Sequence, residues 1–293
     1  MNLNVNFNLE LKLLDSLKNE ITYGGYLAAL CSPCFIISTS LILNIKIALP
    51  MLLISYLLPL IVYSYDYYKD IDKDIQNNSE RATFLKRKAN RYPFIFGFYS
   101  LLLISLLILY SNYSLVAFIV CIMAGGILYN VVLKNLTKKI PAFKNVFTAA
   151  TWASVGAFFP LFYYSMNINL SFIIAFLLIF MRVLTNVIFF DLKDIDNDKA
   201  DNLKTFPVIF GKETTINILH IMNLVAFFPL ILGIYFNVVN IHGAFLLIFI
   251  AYSYFYINKA SLASDSELET TAHTLADLEF ILWPLLLTAV TIL

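Results

Sequence analysis

The chain has 293 residues, 60% hydrophobic and 13% charged, with a mean hydropathy of +0.78 and a formal net charge of +1. Soluble domains are nearer half apolar and a quarter charged, so that class is excluded. Three cysteines give no disulfide framework, and nucleic acid is not among the expected partners.

Residues 1–20 (MNLNVNFNLELKLLDSLKNE) have no basic start, compact apolar core or small-residue cleavage site. They are expected to form an amphipathic segment at the membrane surface, ahead of a membrane domain over 21–293. Apolar stretches then predict nine transmembrane helices, near 22–43, 47–65, 93–110, 114–133, 143–164, 169–190, 215–236, 240–257 and 277–293. Most approach the ~20 residues that cross a ~30 Å hydrocarbon layer. The expected fold class is an all-α polytopic membrane protein with nine helices around a central polar cavity. Cys31 and Cys34 form a CxxC in the first span, but no second pair or histidine pair completes a metal site.

The charges fall on one side. Of the 20 Lys and Arg residues, 18 lie in the N-terminal segment or in the long connections 66–92, 134–144, 191–214 and 258–276. Only Lys46 and Arg182 fall elsewhere. The positive-inside rule places the N-terminus and those connections in the cytoplasm. All 19 acidic residues lie in or beside the same segments. With no acidic residue expected mid-span and none outside, a cation-coupled transporter is disfavoured.

Two acidic clusters stand out. In DYYKDIDKD, Asp66, Asp70 and Asp74 recur every four residues after the second span. In DLKDIDND, Asp191, Asp194 and Asp198 stand at i, i+3 and i+7 after the sixth. Both spacings put three carboxylates on one face of a helix, so each cluster is expected to extend its span. Two carboxylates ~6 Å apart repel by roughly 3 kcal/mol at an effective dielectric of about 20. Something positive should therefore sit between them. Oxygen-only ligands select a hard cation, Mg²⁺, Mn²⁺ or Ca²⁺, and Mg²⁺ completes its shell with water and phosphate oxygens. Metal ligands are expected from Asp66, Asp70, Asp74, Asp194 and Asp198, with Asp191 joining them in catalysis. One or two basic residues per loop, among Arg81–Arg91, Lys134–Lys144 and Lys199–Lys204, are candidates to bind phosphate oxygens.

These residues resemble the UbiA family of intramembrane prenyltransferases. The stretch DLKDIDNDKADNLKTFPVIFG is similar to that family's second Asp-rich motif, with Asp191, Asp194, Asp198, Lys204, Thr205 and Pro207 in register. YNVVLKNLTKKIPAFKN, with Tyr129, Lys134 and Asn145, resembles the loop after its fourth helix. In the first motif Asp66 stands at an Asn position and Tyr67 at that of the first Asp. The Arg-Pro pairs that the resemblance calls for are Ser32-Pro33 in the first span and absent after Arg81. The resemblance implies transfer of an isoprenoid chain from a prenyl diphosphate to a hydrophobic or aromatic acceptor, within membrane lipid. It also implies Lys134, Lys204 and Arg81 as the residues that bind phosphate oxygens, and Tyr129 and Asn186 as candidates to touch substrate. A catalytically inert isoprenoid or quinone binder is the alternative.

Overall fold

The computed structural model describes residues 24–77, 79–131, 133–263 and 265–292, apart from the side chains of 66–82, 130–135, 265, 266, 269 and 273. The N-terminal segment 1–20 lies outside the described residues.

Every regular element among them is helical. In chain order they are α1 (Tyr26–Ile42), α2 (Leu49–Asn77), α3 (Ser79–Lys88), α4 (Tyr92–Tyr110), α5 (Tyr113–Val131), α6 (Phe143–Tyr163) and α7 (Leu170–Asp191). There follow α8 (Ile195–Ala200), α9 (Phe206–Phe210), α10 (Lys212–Val225), α11 (Phe228–Tyr235), α12 (Ile248–Leu262), α13 (Asp265–Thr271) and α14 (Asp277–Ile292). Six helical stretches are long and apolar enough to cross a membrane: Thr83–Tyr110, Phe143–Tyr163, Leu170–Asp191, Lys212–Tyr235, Ile241–Leu262 and Thr274–Ile292. Three shorter apolar helices, Tyr26–Ile42, Leu49–Tyr65 and Tyr113–Tyr129, accompany them.

Several spans are less regular than their hydropathy implied. The seventh breaks at Ala226–Phe227, because Pro229 has no N–H to give and takes the first turn of a new helix. The eighth opens as a 3₁₀ turn, Ile241–Leu247, capped by the Asn240 side chain. A π-helical turn, Ala272–Ala276, leads into α14.

Short turns join the bundle at one end: 43–48, 111–112, 164–169 and 236–240. The long connections that carry the charges all return at the other. Lipid offers helices no hydrophobic drive to associate, so close packing of small residues holds them. On α6, Ala149, Ala153, Gly156 and Ala157 form that surface. A Cβ on Gly156 would sit 2.7 Å from Phe35 Cβ and 2.8 Å from Ile179 Cδ1, so only glycine admits α1 and α7 this closely. Below that contact an aromatic cluster fills the core, with Phe35 and Phe280 ring centroids 4.8 Å apart and Trp283 set edge-on against both.

Arg182, the basic residue expected deep within a span, finds its partner on another helix. Its guanidinium pairs with Glu279 at 2.6 Å, both side chains fully excluded from solvent. Glu279 in turn is an acidic residue inside a span, which the charge distribution had not signalled. The pair is fully satisfied: Arg182 also donates to Asn223 Oδ1 (2.7 Å) and Ser253 Oγ (2.6 Å) and lies over the Phe227 ring, while Ser253 and Tyr256 donate to Glu279 Oε2. A buried charge needs such company, and this network ties α7, α10, α12 and α14 together.

Candidate active site

The two acidic clusters are built differently. The backbone of α2 runs unbroken to Asn77, so Asp66, Asp70 and Asp74 recur along one helix, as their spacing predicts. The side chains of Asp66, Asp70, Asp74 and Arg81 lie outside the described residues, as does that of Lys134.

The second cluster is not a helical extension. α7 stops at Asp191, and the amides of Leu192, Lys193 and Asp194 bond three residues back, to Phe189, Phe190 and Asp191. A new helix, α8, starts after Asp194. A comparable acidic spacing leaves α2 unbroken, so repulsion alone does not set the break; what differs is that Asp191 is bonded to the start of α6. The turn separates the three acids into different environments.

Asp191 is 2% exposed, and both its oxygens are taken. Lys144 Nζ donates to Oδ1 at 3.0 Å and Asn145 Nδ2 to Oδ2 at 2.7 Å. Both partners sit in the first turn of α6, behind Ala142 in a left-handed conformation (φ 56°). Asp194 is half-buried and binds the Lys193 ammonium. Asp198 is buried, and its Oδ2 has no hydrogen-bond partner among the described residues. Burial pushes the Asp198 carboxyl up to about 6, against the opposing pull of Lys144.

Two backbone bonds sew the loop before α6 to the loop after α8: Lys204 N–H donates to Thr137 O at 3.0 Å, and Ala142 N–H to Lys204 O at 2.9 Å. The Lys204 side chain itself is exposed. On these two joined segments lie four buried oxygens without a hydrogen bond of normal geometry among the described residues: Thr137 Oγ1, Asn145 Oδ1, Asp198 Oδ2 and Thr205 Oγ1. The Thr205 hydroxyl still interacts with the Asp198 carboxyl and the Thr137 hydroxyl with that of Tyr129, so Asn145 Oδ1 and Asp198 Oδ2 are the acceptors most open to a ligand. Tyr129 stacks on Phe147 at 4.9 Å, and its hydroxyl is within electrostatic reach of Lys144, Asp191 and Asp198. Asn186 is buried about one and a half turns before Asp191 and donates to Ala276 O at 3.1 Å, bracing the π turn.

Among the described residues no three His, Cys, Asp or Glu side chains converge to hold a metal alone. The second motif therefore offers a partial shell. That is what Mg²⁺ takes, one or two carboxylates with water and phosphate oxygens completing it, and the open Asp198 oxygen fits such a use. Sequence reasoning did not single out Lys144 as the partner of Asp191. A lysine at the start of a span looks like any topology signal.

A fold of several apolar helices with an acidic polar patch at one end defines a class: a helical, multi-pass membrane protein. The UbiA prenyltransferase family profile matches residues 26–278, and the chain belongs to that family. It is 27% identical over 110 residues to digeranylgeranylglyceryl phosphate synthase of Methanosphaera stadtmanae. That alignment spans 38% of this chain and 39% of the relative. Among solved structures, a UbiA homologue from Aeropyrum pernix K1 aligns with a TM-score of 0.68 at 14% identity, covering 91% of this chain and 98% of its own. A structure described as digeranylgeranylglyceryl phosphate synthase in membranes aligns with a TM-score of 0.59 at 16% identity, covering 94% of this chain and 98% of its own. At these identities both structures establish a shared fold.

Proposed function

We propose that the chain is a Mg²⁺-dependent membrane prenyltransferase that moves an isoprenoid chain from a prenyl diphosphate to an aromatic or lipid acceptor. The observation that carries this reading is the buried, unpartnered oxygen of Asp198 beside the Lys144–Asp191–Asn145 triad. Asp194 and Asp198 would hold the metal on one side, and Asp66, Asp70 and Asp74 on α2 on the other. Mg²⁺, or Mn²⁺ in its place, supplies Lewis-acid neutralisation of the leaving diphosphate when bound. Lys134, Lys204 and Arg81 bind phosphate oxygens, and Tyr129 and Asn186 face substrate.

In this reading the six long and three shorter apolar helices make nine passes, and a polar cavity opens among them at the charged end. The positive-inside rule sets that end and the N-terminus in the cytoplasm of a multi-pass cell-membrane protein. The name of the Methanosphaera relative puts glyceryl-phosphate lipids first among acceptors to try.

The test is diphosphate release from radiolabelled geranylgeranyl diphosphate by purified protein, with and without Mg²⁺, over a panel of glyceryl-phosphate and aromatic acceptors. Metal-dependent release with a prenylated product, lost in Asp194→Ala and Asp70→Ala, supports the reading. Mg²⁺-dependent binding with no turnover on any acceptor would favour the inert binder instead. Folded protein that neither binds nor turns over the diphosphate would refute both.

A further inference from the structure

The pairing of Lys144 with Asp191 is costly where it stands. A cation in the first turn of a 21-residue helix opposes the helix dipole, and Asp191 buries a charge at the end of another. Lys144 is no packing necessity, since it keeps 35% of its side chain exposed. Its ammonium has three N–H groups, and Asp191 Oδ1 is its one acceptor among the described residues. Asp198 and Asp194 lie within its electrostatic reach. Lys144 thus stands at the rim of the second motif, tethered by one bond and open on its other side. Meanwhile Asp191 is 2% exposed, with Lys144 on one oxygen and Asn145 on the other, so a metal would reach it only in competition with the lysine.

We propose that Lys144 is a built-in cation of the site. It occupies the place at Asp191 that a divalent ion would otherwise take, and it donates directly to a diphosphate oxygen of the bound substrate. The proposal rests on the prenyl diphosphate reading above. It means that the second motif binds fewer divalent ions than its aspartates would allow. Lys144 orients Asp191 and neutralises it, and when substrate arrives its free N–H groups turn to the phosphate.

The test uses purified full-length chain in detergent, with Mn²⁺ as the probe and the electron paramagnetic resonance signal of free Mn²⁺ as the readout. Lys144→Met should bind an additional Mn²⁺ ion per chain, Lys144→Arg should match the wild type, and Lys144→Met/Asp191→Asn should lose the extra ion again. Geranylgeranyl diphosphate affinity in Mg²⁺ should fall about tenfold in Lys144→Met and hold in Lys144→Arg, the loss expected for one charge-assisted hydrogen bond. An unchanged Mn²⁺ count and unchanged diphosphate affinity in Lys144→Met would overturn the proposal. If that variant does not fold, amine labelling of the wild type decides. Mg²⁺ with geranylgeranyl diphosphate should shield Lys144 while leaving Lys138 and Lys139 reactive. Labelling of Lys144 unaltered by bound diphosphate would overturn it as well. A wild type that binds no diphosphate at all would instead remove the prenyl diphosphate reading beneath it.

Discussion

Among the described residues, Arg182–Glu279 and Lys144–Asp191 both cross between helices, and they differ in what surrounds them. Arg182–Glu279 is sealed: the carboxylate and the guanidinium share partners from Asn223, Ser253 and Tyr256, and an aromatic ring covers the cation. Lys144–Asp191 is open: its lysine is a third exposed, and unpartnered oxygens of Asn145 and Asp198 lie on the segments around it. The chemistry of the two pairs is alike, but the accounting of hydrogen bonds is not. A closed network holds helices together, whereas an open one is shaped for something that arrives.

The largest effect should come from breaking the closed pair. Arg182→Met leaves Glu279 buried without its cation and should cost about 3–5 kcal/mol of stability in detergent unfolding. Removing both charges, Arg182→Met with Glu279→Gln, should recover much of that loss, since neither side is then left ionised and alone. In the open region the loss should appear in function and not in folding. Asp198→Ala should lower prenyl transfer at least about 100-fold, about 2.7 kcal/mol of transition-state stabilisation, with little change in melting temperature. Gly156→Val tests the scaffold between the two regions. With Phe35 and Ile179 under 3 Å from the added carbon, overpacking should cost about 1–3 kcal/mol, seen as a lower melting temperature. The smallest change belongs to Lys138 and Lys139, which are exposed beside the site. Replacing both with Gln should shift stability by less than about 0.5 kcal/mol per residue and leave turnover near wild type.

The all-helical membrane class and the gathering of charge in the long connections were readable from hydropathy and from Lys and Arg placement, because lipid forces both into long, uniform patterns. The register of Asp66, Asp70 and Asp74 was readable too, since a single helix fixes it. The second motif was not. Its spacing matches a helix face, but the chain breaks after Asp191 so that Lys144 and Asn145, 47 and 46 residues away, can reach that carboxylate. Long-range pairing of this kind leaves no local trace. Arg182 was visible as an expensive residue, yet its partner Glu279 sits 97 residues on, two positions past Asp277 at a span entrance where acids are ordinary. Sequence gives the presence of a buried charge more readily than its partner.

The most direct measurement is Mg²⁺-dependent binding of geranylgeranyl diphosphate, by titration calorimetry, to the wild type, Asp198→Ala and the Arg182→Met/Glu279→Gln double variant. The wild type and the double variant should bind alike, and Asp198→Ala should not bind measurably. Binding that survives in Asp198→Ala, or that disappears when only the closed pair is neutralised in folded protein, would contradict the assignment of ligand to the open region and scaffold to the closed one.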